Sequence, residues 1–151
     1  MSTRLENPLG LAPIMRRWLI VCLFVAAAGL AGQSAAAERT ILVFGDSLSA
    51  AHGMPQAQGW VALMKKRLAA RDADIRVVNA SVSGETTGGG RKRLDAALAR
   101  SQADIVILEL GGNDGLQVLD IKQMRTHLAA MINRAREAGA RVLLLGMRIP
   151  P

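Results

Sequence analysis

Residues 104–110 read Asp-Ile-Val-Ile-Leu-Glu-Leu, and this stretch decides the fold class. Its apolar side chains follow one another without the polar alternation of a half-exposed strand. A strand that is buried on both faces has this pattern, and such strands occur in parallel sheets that helices cover on both sides. The stretch therefore predicts a buried strand of an α/β domain.

The segments around this strand repeat one pattern, in which short apolar runs alternate with stretches of helical spacing. Strands are predicted at 40–44, 74–79, 104–110 and 142–145. Helices are predicted over 59–70, around Leu94 to Leu98, and from Ile121 to a stop at Gly139. Loops or turns are predicted at 51–58, 80–90 and 111–115. This alternation predicts one parallel sheet with right-handed crossovers and helices on both of its faces.

Residues 1–37 are typical of a secretory signal peptide. Arg16-Arg17 form a basic flank, residues 18–32 form an apolar run, and the alanines after it fit the small-residue cleavage rule. The run is shorter than the roughly 20 residues that a membrane-spanning helix needs. We therefore expect cleavage before Glu38 and no stable membrane span afterwards. The remaining residues, 38–151, are predicted to form a single domain that a bacterium exports to the periplasm or the medium. An uncleaved N-terminal anchor is the alternative.

Composition argues against several classes of function. The chain has two Phe, two Trp and no Tyr, so it lacks the aromatic surface on which single-stranded nucleic acids stack, and we expect no nucleic-acid partner. The net charge of +7 is spread out, and its one dense run, Arg91-Lys92-Arg93, is interpreted as a solvated helix face rather than an anion site. Gly90 stands where a phosphate loop requires lysine. No residues have metal-ligand spacing, so we expect no metal and no other cofactor.

Three polar loops follow predicted strands and therefore meet at the carboxyl edge of the sheet, where α/β proteins place their chemistry. The first loop contains Ser47, the second Gly84 and the third Asn113. A serine nucleophile needs a base and hydrogen-bond donors for the developing oxyanion. The unobstructed N–H of Gly84 and the side-chain amide of Asn113 are suitable donors. The alternatives are a helix cap at Ser47 and plain turns at the other two positions.

Three blocks of the sequence resemble, in order, the first three blocks of the GDSL (SGNH) hydrolases: Gly45-Asp46-Ser47-Leu48, Ser83-Gly84-Glu85-Thr86 and Gly111-Gly112-Asn113-Asp114. The resemblance runs from about Thr40 to Pro151 and is greatest to bacterial periplasmic thioesterases that are also arylesterases and lysophospholipases. It implies a three-layer αβα, flavodoxin-like fold and an acyl-enzyme formed on Ser47. It also implies an oxyanion hole made by the N–H groups of Ser47 and Gly84 and by the amide of Asn113.

The family completes its catalytic triad with an Asp-x-x-His block near the C-terminus, and this chain contains no such block. Its histidines, His52 and His127, do not stand three residues after an aspartate. We interpret His52 as a loop residue, and His127 as a structural residue far from any strand's carboxyl end. The chain is therefore predicted to be the N-terminal part of a hydrolase, without the last strand, the last helix and the catalytic Asp and His, and to be weakly active or inactive.

The resemblance further implies a small acyl ester or thioester substrate, with lysophospholipid as one candidate, and a monomer when the domain is full length. Alternatives are a carbohydrate deacetylase of the same fold and a non-catalytic flavodoxin-like binding module or remnant. The strand at 142–145 would have an unpaired apolar edge, which invites aggregation. We therefore expect residues 38–151 alone to be poorly soluble or partly molten.

Overall fold

A computed structural model describes residues 38–71 and 74–147 of the chain. Strands β1 to β4 are Arg39–Gly45, Ile75–Asn79, Ile105–Glu109 and Arg141–Leu144. Helices α1 to α4 are Trp60–Ala69, Thr87–Ser101, Gly112–Leu116 and Ile121–Glu137, and a 3₁₀ turn covers Gln56–Gln58. All four predicted strands are confirmed. The predicted signal peptide, 1–37, lies outside the described residues and stays a prediction.

The four strands form one parallel sheet in the order β2-β1-β3-β4. Leu42 in β1 lies opposite Val78 in β2 and Val106 in β3, and among the described residues β4 pairs with β3 alone. Strand β1 therefore has a neighbour on each side, and the loops after β1, β2 and β3 leave adjacent points of one sheet edge. This confirms the α/β class and brings the three polar loops to a common edge.

Neighbouring residues of β1 point to opposite faces of the sheet and form two separate cores. Leu42 and Phe44 pack against α2 and α4 on one face, and Ile41 and Val43 pack against α1 on the other. The main buried helix partners are Leu94, Leu98, Met131 and Ala135 on the first face and Val61 on the second. The predicted three-layer arrangement is therefore confirmed, with two long helices on one face and one on the other.

Two segments that the sequence predicts as a loop and a turn, 80–90 and 111–115, are partly helical in the structure. Helix α2 begins at Thr87, although the sequence predicts a loop as far as Gly90 because consecutive glycines disfavour helix. Thr86 stabilises this early start, since its Oγ1 accepts a hydrogen bond from the N–H of Gly89 at 3.2 Å. The predicted turn at 111–115 is likewise wrong, because most of it belongs to the single-turn helix α3. At the start of α2, the Thr86 cap and the hydrogen bond from the N–H of Thr87 to Asp114 outweigh the local glycine content.

Strand β4 has the apolar edge that the sequence predicts. Leu143 and Leu144 are 52% and 44% exposed. Among the described residues, β4 has a strand partner on one side only. Helix α4 ends as predicted, just before Gly139, whose φ of +87° suits a glycine. Within residues 38–71 and 74–147, no helix is both long and apolar enough to cross a membrane.

Candidate active site

Ser47 lies two residues beyond β1, on a series of tight turns. The Asp46 carboxylate accepts a hydrogen bond from the N–H of Leu48 at 3.0 Å through Oδ1. Two further backbone bonds close the turns: the N–H of Ala50 donates to the Asp46 carbonyl at 2.9 Å, and the N–H of His52 donates to the Ser47 carbonyl at 3.1 Å. No helix starts at Ser47, so the helix-cap alternative is wrong, and Ser47 is half-buried on a folded-back turn.

Glu109, the last residue of β3, connects the turn to the sheet through hydrogen bonds. Glu109 Oε2 accepts a short hydrogen bond from Ser49 Oγ at 2.6 Å and a longer one from the N–H of Asp46 at 3.4 Å. The approach is so close that a Cβ on Gly45 would lie 2.6 Å from the same oxygen. A polar residue at the end of a buried strand needs a hydrogen-bond partner. The partner, Ser49, is 60 residues away along the chain, so no local pattern indicates it.

The second loop is bonded directly to the first. The N–H of Val82 donates to the Gly45 carbonyl at 3.0 Å, and the N–H of Gly45 donates to Ser81 Oγ at 3.1 Å. Gly84 follows with φ +78°, a conformation that side chains other than glycine rarely adopt, and a Cβ there would meet no atom within 4 Å. Gly84 is therefore both a turn glycine and an open stretch of backbone beside the Ser47 turn.

The side chain of Asn113 connects all three loops. Its Nδ2 donates to Asp46 Oδ2 at 3.1 Å and to the carbonyl of Glu85 at 2.9 Å. Asp46 precedes Ser47 and Glu85 follows Gly84, so the amide lies between the immediate neighbours of the other two predicted site residues. Both amide hydrogens have acceptors in this arrangement. To bind an oxyanion, Asn113 must exchange one of these contacts.

A second network joins the second and third loops behind the site. Asp114 is buried and accepts a hydrogen bond from the N–H of Thr87 at 2.8 Å and another from the Thr87 hydroxyl. Thr87 Oγ1 also lies 3.3 Å from Nδ1 of His127. Since the single hydroxyl hydrogen is donated to the carboxylate, Nδ1 of His127 is the donor in that contact. The network ties the first residue of α2 to α3 and α4.

His127 is half-buried, as expected for a structural residue, and its ring lies against Thr87 at the start of α2. The stripe of apolar residues along α4 indicates which face is inward, but it does not show where the end of that face lies relative to α2. His52 is exposed, as expected for a loop residue. Among the described residues, neither histidine is hydrogen-bonded to the Ser47 side chain.

The basic run at 91–93 is only partly a solvated face. Arg91 and Lys92 are exposed, as predicted. Arg93 instead lies over the Phe44 ring, 4.0 Å from its centroid, donates to the Ala80 carbonyl at 2.6 Å and forms an ion pair with Glu85. Because Glu85 follows Gly84, this ion pair restrains the second loop from the side of α2.

Among the cavities beside the loops, two border the third loop and the serine turn. One, of about 270 Å³, is mainly apolar and borders Gly111 and Asp114 of the third loop. Its apolar lining comes chiefly from Leu119, Met124, Leu128, Leu144 and Met147. The other, of about 500 Å³, lies on the α1 side and borders Ser49, Asn79 and Ser81. Within the described residues, no cluster of three or more His, Cys, Asp or Glu side chains is arranged to hold a metal ion.

The order of the blocks and their meeting at one sheet edge identify the family. The sequence profile of the GDSL-like Lipase/Acylhydrolase family matches residues 43–151. The chain belongs to this family. Among GDSL relatives, it is 54% identical over 116 residues to Esterase TesA of Pseudomonas aeruginosa, an alignment that covers 77% of this chain and 58% of the relative. It is 40% identical over 122 residues to the Arylesterase of Vibrio mimicus, covering 81% and 60%.

A third GDSL relative is the Thioesterase 1/protease 1/lysophospholipase L1 of Escherichia coli, 38% identical over 134 residues, with 89% of this chain and 62% of the relative covered. Solved structures agree on the fold. The crystal structure of TesA matches with a TM-score of 0.73 and covers 75% of this chain and 63% of that one. Esterase EstA from Pseudoalteromonas, inhibited by monoethylphosphonate, matches at 45% identity and a TM-score of 0.72, covering 75% and 62%. The chain thus spans about three fifths of these relatives.

Proposed function

We propose that this chain carries the nucleophile and the oxyanion hole of an exported serine ester or thioester hydrolase. The observation that supports this best is the side-chain amide of Asn113, which is hydrogen-bonded to Asp46 and to the carbonyl of Glu85. These contacts bring the neighbours of Ser47 and Gly84 to one amide. Family membership and the names of the relatives support the same reaction class.

In the proposed reaction, Ser47 Oγ attacks the carbonyl carbon of an acyl substrate while a base takes the hydroxyl proton. The N–H groups of Ser47 and Gly84 and the amide of Asn113 stabilise the oxyanion. The bond from carbon to the leaving oxygen or sulfur then breaks, and the leaving group takes up the proton. Water hydrolyses the resulting acyl-enzyme and frees Ser47. The base in this proposal is the histidine of the family's Asp-x-x-His block, which these 151 residues do not contain.

The apolar cavity that borders Gly111 and Asp114 of the third loop supports an acyl substrate. Its volume of about 270 Å³ is slightly below the roughly 300–1,000 Å³ of small-molecule sites, which suits a small acyl group. An acyl chain bound there would start beside the third loop, where the carbonyl group is polarised. We therefore propose small acyl esters or thioesters as substrates, with lysophospholipid among them. The basic, apolar and small-residue order of residues 1–37 supports export to the periplasm.

Covalent labelling of Ser47 tests the nucleophile. Two proteins are compared: residues 38–151, and a chimera that adds the C-terminal part of Esterase TesA that this chain does not match. We expect a fluorophosphonate to label the chimera, and a Ser47→Ala change to abolish the labelling. Ser83→Ala, which removes an exposed serine of the second loop, serves as the matched control and should leave labelling intact.

Hydrolysis of a short p-nitrophenyl ester tests the missing base. Because loss of a catalytic histidine removes most of the rate, the chain without the graft should be about 10⁴-fold or more slower than the chimera. A folded chimera that is not labelled would contradict the hydrolase proposal and favour a binding module. Rapid hydrolysis by the ungrafted chain that His52→Ala abolishes would contradict the expected location of the base.

A further inference from the structure

The carboxyl group of Glu109 is one of three buried acidic groups beside the candidate site, with those of Asp46 and Asp114. Glu109 is 3% exposed. Its Oε2 accepts hydrogen bonds from Ser49 Oγ and the N–H of Asp46, whereas its buried Oε1 has no hydrogen-bond partner among residues 38–71 and 74–147. Buried polar atoms without partners are costly and uncommon in folded proteins. A group kept in this position despite that cost calls for an explanation other than packing.

Both contacts of Glu109 flank Ser47. Asp46 is the residue before the serine, and Ser49 is two residues after it. The carboxyl group therefore holds the turn on each side of the nucleophile without touching the nucleophile. The same oxygen requires glycine at position 45, since a Cβ there would come within 2.6 Å of it.

The connection continues from Glu109 to the oxyanion side of the site. Asp46, which donates its N–H to Glu109, accepts the amide of Asn113 through Oδ2 and the N–H of Leu48 through Oδ1. A displacement of Asp46 would therefore change the direction of the Asn113 amide as well as the turn. One buried carboxyl group thus restrains two groups of the proposed machinery.

The surroundings of Glu109 act on the pKa of its carboxyl group in opposite directions. Burial raises the pKa, the hydrogen bond from Ser49 opposes the rise, and the nearby Asp46 carboxylate adds to it.

We propose that Glu109 is a positioning residue for the reaction on Ser47, and that it fixes the turn presenting the serine hydroxyl through Asp46 and Ser49. The catalytic part of this inference rests on the proposed function, whereas the effect of Glu109 on the turn can be measured without any catalysis. A residue that merely fills space would be replaceable by an apolar side chain of similar length. A positioning residue is replaceable only by one that keeps the acceptor.

Amide hydrogen exchange in the full 151-residue protein distinguishes these roles. Glu109→Gln keeps an acceptor for Asp46 and Ser49, and Glu109→Met keeps the length but not the acceptor. In Glu109→Met, the amides of Asp46, Leu48, Ala50 and His52 should exchange about tenfold faster, as expected for a lost hydrogen bond of moderate strength. In Glu109→Gln they should stay within about threefold of the wild type. The amides of Leu42 and Val43 in β1 are the internal control.

Unchanged exchange of the turn amides in a folded Glu109→Met variant would overturn the proposal. If that variant does not fold, Ser49→Ala takes its place, because it removes the short hydrogen bond and keeps the carboxyl group. Faster exchange of the turn amides in Ser49→Ala supports the proposal, and unchanged exchange overturns it. Fluorophosphonate labelling of the chimera adds a separate readout: Glu109→Met should slow labelling of Ser47, and Glu109→Gln should restore it. A wild-type chimera that fails to label contradicts the proposed function, while the exchange data still decide the role of Glu109.

Discussion

At the scale of single residues, Ser47 owes its position to its neighbours more than to its own side chain. Asp46 folds the turn through Leu48 and reaches Asn113, and Glu109 holds the turn from the sheet. The contact with Leu48 is local, whereas those with Asn113 and Glu109 join the serine turn to residues 67 and 60 positions away along the chain. The chemistry expected of the serine therefore depends on side chains that do not touch a substrate.

Gly45 tests how tightly the turn is packed. Gly45→Ala places a methyl group 2.6 Å from Glu109 Oε2 and 2.8 Å from Ser49 Oγ, so we expect a loss of about 1–3 kcal/mol in the free energy of unfolding. Gly146→Ala is the matched control, because a Cβ there meets no atom within 4 Å. Urea unfolding measures both. Equal free energies of unfolding for the two variants would contradict the prediction, because they would show that the turn accommodates the methyl group without a loss of stability.

The raised pKa of Glu109 predicts a pH-dependent stability. Below its ordinary pKa of 4.5 the carboxyl group is protonated in both the folded and the unfolded chain. As pH rises above that value, the unfolded chain releases the proton first, and the free energy of unfolding decreases. The decrease stops once pH exceeds the pKa of Glu109 in the folded chain. The slope for one proton is at most about 1.4 kcal/mol per pH unit.

Glu109→Gln removes this titration and supplies the comparison. Ionisable groups that do not interact with residue 109 affect both proteins alike, so the difference between their urea midpoints reports Glu109 together with its interaction with Asp46. We expect the wild type to lose stability relative to Glu109→Gln as pH rises from 4 toward 8. A difference that does not vary with pH would contradict the assignment of a raised pKa.

At the scale of elements, the fold was predictable and several contacts were not. The continuous apolar run of β3 and the alternation of strands and helices predict the parallel sheet and the edge where the three loops meet. The start of α2 was predicted too late, because the glycines after Thr87 disfavour helix and only the contacts of Thr86 and Thr87 compensate. The contact between His127 and Thr87 was not predicted, since periodicity gives the inward face of α4 but not its neighbour.

The bond between Thr87 and Asp114 predicts how firmly α2 and α3 are joined. Thr87→Val keeps the β-branched shape but removes the hydroxyl that donates to the buried carboxylate. We expect a loss of about 1–3 kcal/mol in the free energy of unfolding, because a buried acceptor loses a partner. Thr126→Val is the control: Thr126 is exposed, and its hydroxyl donates only to the carbonyl of Lys122 in its own helix. Similar losses in both variants would contradict the prediction.

At the scale of the whole molecule, the two faces of the sheet are covered unequally. Helices α2 and α4 cover one face, α1 covers part of the other, and β4 leaves Leu143 exposed at the edge. An exposed apolar edge strand is a template for pairing with another chain. The structure therefore agrees with the sequence in predicting self-association of residues 38–151.

A charge on the edge strand tests this expectation. We predict that residues 38–151 form concentration-dependent aggregates in sedimentation velocity experiments, and that Leu143→Lys lowers the aggregated fraction, because lysine on an edge opposes pairing. Lys122→Arg, a change on an exposed position of α4 that keeps the charge, should have no effect. A monomeric wild-type protein with a sharp, cooperative melt would contradict the prediction.

The two acceptors already held by Asn113 have a consequence for selectivity. A neutral ester carbonyl is a weak acceptor and gains little by competing with Asp46 and the carbonyl of Glu85 for the same hydrogens. A tetrahedral oxygen that carries a full negative charge competes far better, since charge-assisted hydrogen bonds are roughly twice as strong as neutral ones. In the proposed reaction, the amide of Asn113 would therefore give up one of its two contacts to the transition state but not to the bound substrate, and such differential binding accelerates a reaction.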